Sequence, residues 1–112
     1  MVTKFYIPEK GDIIYFNFSP SSGHEQKGIR PAVVLSRSFI NDPSGLSFVC
    51  PITSKQKFYP FEVIVRTEKI SGVALSDQCR SIDYTARRVK FIEKAPDYIV
   101  EEIKQKFLTI LD

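Results

Sequence analysis

Residues 24–30, with the sequence HEQKGIR, concentrate the side chains that could do chemistry. His24 and Glu25 can move protons, and Arg30 can bind a phosphate through two parallel hydrogen bonds. Gly23 precedes the group and Gly28 lies within it, and both allow the backbone to approach a ligand closely. These types at this spacing predict a phosphate-handling site. A solvated loop whose Arg30 pairs with a nearby acid would have the same composition.

Two further segments offer groups that can bind phosphates and bases. Thr53 and Ser54 carry hydroxyls at the end of an apolar run, where they can donate to a phosphate oxygen or merely complete a turn. Residues 55–59, KQKFY, interleave cations with rings. That pattern suits single-stranded nucleic acid, because bases stack on rings while phosphates meet lysines. We expect Phe58 to be partly buried in the core and Tyr59 to remain available for stacking.

The charge of the chain is unevenly distributed. Sixteen Lys and Arg against thirteen Asp and Glu give +3; residues 1–92 hold thirteen against eight, or +5, and residues 93–112 hold three against five, or −2. Arg87, Arg88 and Lys90 form a local basic cluster. A basic body suits a polyanionic partner, although surface charge drift or protection of a sheet edge would look the same.

Most enzyme classes lack their residues here. With one histidine and no H-E-x-x-H, P-loop, dinucleotide or nucleophile-elbow motif, no metal site or cofactor is predicted. Cys50 and Cys79 have no C-x-x-C spacing and are expected to be two buried free thiols in a reducing cytoplasm. No signal peptide and no apolar run long enough to span a membrane is apparent.

The elements that must position these residues are mainly strands. Runs rich in β-branched and aromatic residues predict strands at 12–18, 32–36, 46–52, 61–65, 73–75, 80–84 and 89–92, with a turn or short helical turn at 38–45. Pro31 stands at the entrance of the second strand. After Pro96, helical spacing of apolar residues predicts a C-terminal helix. The pattern favours one domain over 1–112, a small β-barrel closed by a helix, with another α+β fold as the alternative.

Four stretches stand in a fixed order: residues 11–15 (GDIIY), 23–36 (GHEQKGIRPAVVLS), 51–54 (PITS) and 72–82 (GVALSDQCRSI). This series resembles the MazF/PemK/Kid toxins of bacterial toxin–antitoxin modules. The resemblance implies a small SH3-like β-barrel with a C-terminal helix that acts as a homodimer. It implies a metal-independent endoribonuclease that cuts single-stranded RNA at short sequences. A cognate MazE-like antitoxin would neutralise it.

The resemblance also implies roles for individual residues. Arg30 matches the motif arginine, Thr53 the active-site threonine, Glu25 the motif glutamate and His24 the histidine of the Kid-like branch. That branch pairs an acid, here Asp77, with an arginine two residues earlier, where this chain has Leu75. The mechanism centred on Arg30 and Thr53 therefore fits better. Further candidate RNA contacts are Lys27, Ser54, Lys55, Tyr59, Asp77, Gln78 and Arg87.

Two other classes stay open at this point. Gyrase-poisoning toxins of the CcdB kind share the barrel but end in a tail that contains tryptophan, and this chain has no tryptophan. A catalytically silent SH3-like module that only binds a protein is the third class. The presence of Glu25, Arg30 and Thr53 together argues against it.

Overall fold

The computed structural model describes residues 6–18, 23–25 and 28–112. Over these residues the chain is mainly β, and its last element is a helix, as the sequence predicts. The strands are β1 (Asp12–Asn17), β2 (Ile29–Val34), β3 (Leu46–Thr53), β4 (Glu62–Arg66), β5 (Ser71–Leu75), β6 (Arg80–Asp83) and β7 (Lys90–Lys94). The helices are α1 (Ser38–Ser44) and α2 (Asp97–Leu111), and a 3₁₀ turn spans Ser76–Gln78.

All seven strands belong to one antiparallel sheet that curls into a half-barrel. The strand order is β4-β5-β3-β2-β1-β7. The long strand β3 pairs with β2 along one edge, whereas its other edge pairs with β6 over Leu46–Val49 and with β5 over Ile52–Thr53. Because β3 changes partner along its length, the sheet bends there. The end of β3 therefore lies beside β5 and the 3₁₀ turn that follows it.

The sheet buries an apolar cluster on each face. Ile14, Phe16 and Phe18 share the face that packs inside the curl, which confirms the alternation seen in the sequence of β1. The opposite face packs against α2 through Ile99 and Ile103, both fully buried. In α2, Pro96 is the N-cap and Asp97 lies in the first turn, where a carboxylate favours the positive end of the helix.

The second strand begins earlier than the sequence indicated. It starts at Ile29, so Pro31 lies inside β2, opposite Tyr15 of β1. Proline is tolerated there because β2 pairs with β3 only from Ala32 onward, so the missing N–H removes no bond on that side. The early start matters for the site, because it places Arg30 on a strand and not in a loop.

The two cysteines are free thiols, as expected, but only one is fully buried. Cys50 lies in β3 with no exposed surface, and burial raises the pKa of its thiol. Cys79 is only partly buried, because it follows the 3₁₀ turn at the rim of a cavity. Within the described part of the chain, neither helix has the length and apolar character needed to cross a membrane.

Candidate active site

One cleft gathers most of the residues that the sequence singled out. We call it the Arg30 cleft; its volume is about 540 Å³. Five separate parts of the chain contribute to it: the β1–β2 loop, β2, the end of β3, the β3–β4 loop with the start of β4, and the end of β5 with the 3₁₀ turn. Its lining residues are Gly23, His24, Glu25, Arg30, Thr53, Lys55, Lys57, Tyr59, Phe61, Glu62, Leu75, Asp77 and Gln78.

Arg30 and Thr53 are brought together by the register of two neighbouring strands. Ala32 of β2 lies opposite Pro51 of β3. Continued two residues beyond this pair, back along β2 to Arg30 and forward along β3 to Thr53, the same register would set these two residues opposite each other. Because side chains alternate between faces, both would then lie on the same face of the sheet. A guanidinium and a hydroxyl from two neighbouring strands therefore line the same cleft.

The backbone around Thr53 is held by close neighbours. The Thr53 side chain is buried, and its Oγ1 accepts a hydrogen bond from the Lys55 N–H at 3.2 Å. A hydroxyl can donate one bond as well as accept, so this contact leaves the O–H hydrogen for a ligand. On the other side, a Cβ added to Gly72 of β5 would lie 2.4 Å from the Thr53 carbonyl oxygen. Glycine thus permits β5 to approach β3 closely at this point.

Glu62 fixes the loop that forms one wall of the cleft. Although its side chain is a carboxylate, Glu62 at the start of β4 is only 7% exposed. Its carboxylate accepts backbone N–H bonds from Lys57 at 3.1 Å and from Phe58 at 3.0 Å. These hydrogen bonds from the loop compensate the carboxylate for the water that it loses on burial. The loop carries Lys55 and Tyr59, and the Tyr59 ring lies 5.6 Å from that of Phe61.

The expectation that Phe58 is partly buried is wrong. Its ring is 81% exposed, and its φ of 63° lies in the left-handed region that a non-glycine residue seldom adopts. The bond from its N–H to Glu62 holds the backbone in this turn. The side chain is thereby directed away from the core.

The 3₁₀ turn brings Asp77 and Gln78 to the cleft. The Ser76 hydroxyl and N–H both donate to the Phe61 carbonyl oxygen, which docks the turn beside the start of β4. Gln78 Nε2 donates to the His24 carbonyl oxygen at 3.4 Å, so it contacts the β1–β2 loop across the cleft. Partial burial raises the pKa of the Asp77 carboxyl, and the Glu62 carboxylate raises it further.

Cations and carboxylates are balanced in the Arg30 cleft. Arg30, Lys55 and Lys57 supply three positive charges, and Glu25, Glu62 and Asp77 supply three carboxylates. Such a lining is not a uniform anion-binding surface. It can hold a phosphate on its cationic side while carboxylates accept protons or base N–H groups.

Eight of the eleven predicted site residues line this cleft: His24, Glu25, Arg30, Thr53, Lys55, Tyr59, Asp77 and Gln78. Ser54 is exposed beside Thr53 and does not line it. Arg87 lies in a different cavity, and Lys27 falls outside the described residues. The sequence reasoning did not select Glu62, Lys57 or Leu75 as lining residues. Lys57 is the second lysine of the KQKFY segment, two residues after Lys55. In a strand-like backbone that spacing places two side chains on the same side, and this signal could have identified Lys57.

Two smaller cavities lie elsewhere on the described part of the chain. The Arg80 pocket, about 440 Å³, is lined by Phe18, Glu25, Pro51, Asp77, Gln78, Cys79, Arg80 and Ser81. The Arg87 pocket, about 500 Å³, is lined by Tyr15, Phe16, Asn17, Ile29, Ala86, Arg87 and Arg88. Across residues 6–18, 23–25 and 28–112, no group of three or more His, Cys, Asp and Glu side chains is arranged to hold a metal ion.

Comparison with known proteins identifies a family whose members this chain resembles. The family of PemK-like, MazF-like toxins of type II toxin–antitoxin systems matches residues 9–111. Over 82 residues the chain is 46% identical to the endoribonuclease toxin MazF of Escherichia coli strain K12, which covers 73% of this chain and 74% of that protein.

Solved structures agree in fold along nearly the whole chain. A crystal structure of MazF from Deinococcus radiodurans matches with a TM-score of 0.92 and 42% identity, covering 96% of this chain and 98% of the other. A crystal structure of a MazE–MazF complex from the same organism matches with a TM-score of 0.83 and 38% identity, covering 96% and 97%.

Proposed function

This chain belongs to the PemK-like, MazF-like toxins of type II toxin–antitoxin systems, and we propose that it is an endoribonuclease that cleaves single-stranded RNA in the Arg30 cleft. The observation that carries the proposal is the convergence of Arg30, Thr53, Glu25 and His24 on one cavity from three separate parts of the chain. The relative from E. coli is itself named an endoribonuclease toxin. We treat residues 1–112 as one functional domain.

The chemistry suits the side chains in the cleft because RNA carries its own nucleophile. The ribose 2′-oxygen attacks the adjacent phosphorus, a 2′-O–P bond forms, and the P–O5′ bond breaks. One proton leaves the 2′-hydroxyl and another reaches the departing 5′-oxygen. The products are a 2′,3′-cyclic phosphate, which can open to a 3′-phosphate, and a 5′-hydroxyl. The protein then has to align these atoms, move protons and stabilise charge, and no metal ion or covalent intermediate is required.

Each residue of the cleft takes a part that its chemistry allows. Arg30 donates to the non-bridging oxygens and stabilises the charge that develops on the phosphorane. Thr53 donates its O–H to a phosphate oxygen. Glu25 or His24 moves or tunes the proton, and both stand exposed at the mouth of the cleft.

The position of Leu75 supports the version of the mechanism centred on Arg30. The Kid-like branch of the family carries an arginine two residues before the acid, and here Leu75 lines the cleft as an apolar wall. Asp77 therefore has no cation at that position to act with. We assign Asp77, together with Gln78, Lys55 and Tyr59, to RNA contact and not to catalysis.

The partners follow from the same premise. Because a relative has been crystallised as a MazE–MazF complex, we propose that a MazE-like antitoxin neutralises this protein and that it acts as a homodimer. Ile110 and Leu111, 45% and 65% exposed at the end of α2, are candidates for the dimer contact. We place the activity in the bacterial cytoplasm, where cleavage of mRNA would stop translation and growth.

A direct test uses the purified protein and a long single-stranded RNA in the presence of EDTA. We expect cuts at a short recurring sequence, with cyclic-phosphate and 5′-hydroxyl ends identified by sequencing and end-labelling. Arg30→Ala should lose the cleavage, whereas Arg66→Ala removes the same charge from exposed β4, outside the three cavities, and should keep it.

Two results would contradict the proposal. One is an Arg30→Ala variant that cuts at the rate of the unaltered protein. The other is intact RNA together with gyrase-dependent DNA breaks, which would indicate a gyrase poison of the CcdB kind.

A further inference from the structure

The Arg80 pocket adjoins the Arg30 cleft, and Arg80 is not among the site residues predicted from the sequence. Glu25, Asp77 and Gln78 line both cavities, so the two form one continuous groove with these side chains at the boundary. The pocket, about 440 Å³, falls in the range of sites that hold small organic groups, roughly 300–1,000 Å³. An RNA strand whose phosphate lies at Arg30 would therefore place a neighbouring nucleotide in this pocket.

Arg80 is fixed in orientation before any ligand arrives. It begins β6, opposite Val49 of β3, so its backbone lies in the sheet. Its guanidinium carbon stands 5.9 Å from the ring centroid of Phe18, which is itself buried. Contact with an aromatic face restricts the planar group, and Arg80 lines the pocket with its N–H donors. A guanidinium held in this way loses little freedom when it binds a planar partner.

The polar groups of the pocket are of two kinds. Arg80 offers paired donors, whereas Glu25 and Asp77 offer only acceptors when ionised. Resting on the proposed function, we propose that the Arg80 pocket binds one base beside the scissile phosphate and that Arg80 selects it through two parallel hydrogen bonds. Arg80 is thus a specificity-determining residue of the RNA-cleaving site.

This donor arrangement favours bases with two adjacent acceptor atoms. Guanine presents O6 and N7 side by side, and cytosine presents O2 and N3. Glu25 and Asp77 line the same pocket, so their carboxylates can accept from the remaining N–H groups, at N1 and N2 of guanine or N4 of cytosine. Adenine and uracil place a donor beside each acceptor, so one N–H of Arg80 would meet another N–H.

The experiment uses a pool of single-stranded RNA with randomised sequence and maps the cut sites by sequencing. The unaltered protein should show a preference for guanine or cytosine at one position next to the cut, and the pool distinguishes the two. Arg80→Ala should reduce that preference by roughly 5- to 150-fold, the range for losing a bidentate base contact, and leave the preference at other positions in place.

Two further variants separate base reading from charge and from folding. Arg80→Lys keeps the positive charge but loses the planar pair of N–H donors, and it should lose most of the same base preference. Arg66→Ala removes an equal charge away from the three cavities and should keep every preference. Circular dichroism checks that each variant folds; if Arg80→Ala does not, Arg80→Lys decides.

The inference is overturned if Arg80→Lys keeps the preferences of the unaltered protein, or if the affected base is adenine or uracil. It is also overturned if activity falls equally on all sequences, because Arg80 would then contact phosphate. An unaltered protein that leaves the whole pool intact would instead refute the endoribonuclease function, and this inference with it. The two failures are therefore distinguishable.

Discussion

The Arg30 cleft and the Arg87 pocket are similar in volume, about 540 and 500 Å³, and each contains an arginine. Their surroundings differ. Around Arg30 the chain supplies hydroxyl, carboxylate, amide and imidazole groups from five parts of the fold. Around Arg87 the lining residues are apolar or aromatic apart from Asn17 and Arg88, and no lining residue is a carboxylate or histidine. Arg87 donates to the Asn17 carbonyl oxygen at 2.9 Å, and its guanidinium lies 5.3 Å from the Phe16 ring centroid.

The difference shows why a cluster of basic residues alone is weaker evidence for an active site than a cluster that combines basic, acidic and hydroxyl side chains. These two contacts of Arg87 are made to β1, so at least part of this side chain holds the segment before β7 against the sheet. Phosphate transfer needs groups that move protons beside the group that binds charge. Of these two cavities, only the Arg30 cleft combines them.

The largest contrast is expected from one conservative change made in both places. Arg30→Lys keeps the charge but loses the two-pronged contact, and we expect kcat/KM for RNA cleavage to fall by about 100-fold or more. Arg87→Lys should change it by no more than about threefold, because lysine still meets the phosphate backbone as a point charge. Rates on one synthetic RNA measure both. If both variants lost the same factor in kcat/KM, the two arginines would contribute equally to cleavage, and the contrast between the two cavities would be wrong.

A middle-sized effect is expected at the wall of the Arg30 cleft. Glu62→Ala removes the acceptor of the Lys57 and Phe58 N–H groups, and bonds to a charged group contribute more than neutral ones. We expect the free energy of unfolding in urea to fall by about 2 kcal/mol. Cleavage should weaken as well, because the loop carries Lys55 and Tyr59.

Glu68→Ala is the matched control for this change. It removes the same charge from an exposed position in the turn between β4 and β5. Unfolding free energies within about 0.5 kcal/mol of the unaltered protein are expected for it. If both variants lost the same stability, Glu62 would have no special part in holding the loop.

The smallest effect is a pair of opposite pH dependences. The pKa of Asp77 is raised by partial burial and by Glu62, so ionisation costs stability as pH rises through that pKa. Asp77→Asn should therefore stabilise the fold at pH 7, with the gain shrinking as pH falls toward 3.8, the ordinary Asp value. Urea unfolding at several pH values measures it.

Asp83 provides the contrast of opposite sign. Bonds from the Thr85 hydroxyl and the Ala86 N–H lower the pKa of its carboxyl, so its charge contributes stability that is present at pH 7 and lost as pH falls through that lowered pKa. Asp83→Asn should destabilise the fold at pH 7. The same sign of change in both variants would contradict the stated causes.

Much of the fold could be predicted because its signals are local. The alternation of Ile14, Phe16 and Phe18 indicates a half-buried strand, and the spacing after Pro96 indicates the last helix. The HEQKGIR segment indicates which kinds of side chain the Arg30 cleft contains. Only the family resemblance predicts that these residues and Thr53 act together in one site. Their convergence depends on the β2–β3 register and on the change of partner along β3, which no local pattern records.

The misjudged residues have a common physical cause. Phe58 was expected in the core because its ring is apolar, and the charge of Glu62 alone would place it at the surface; the structure shows the reverse for both. The backbone of the β3–β4 loop needs an acceptor, and a carboxylate that supplies it is buried despite its charge. Where a loop's N–H groups find their partners cannot be read from hydropathy.

Gly72 has a consequence for how the protein can change. The close approach of β5 to the Thr53 carbonyl oxygen leaves no room for any side chain at position 72. Gly72 is not proposed to contact the substrate, yet it should tolerate substitution as poorly as the residues that are. Variation in RNA preference is then confined to side chains around the groove, such as those of the β1–β2 and β3–β4 loops, while the spacing between the two strands stays constant.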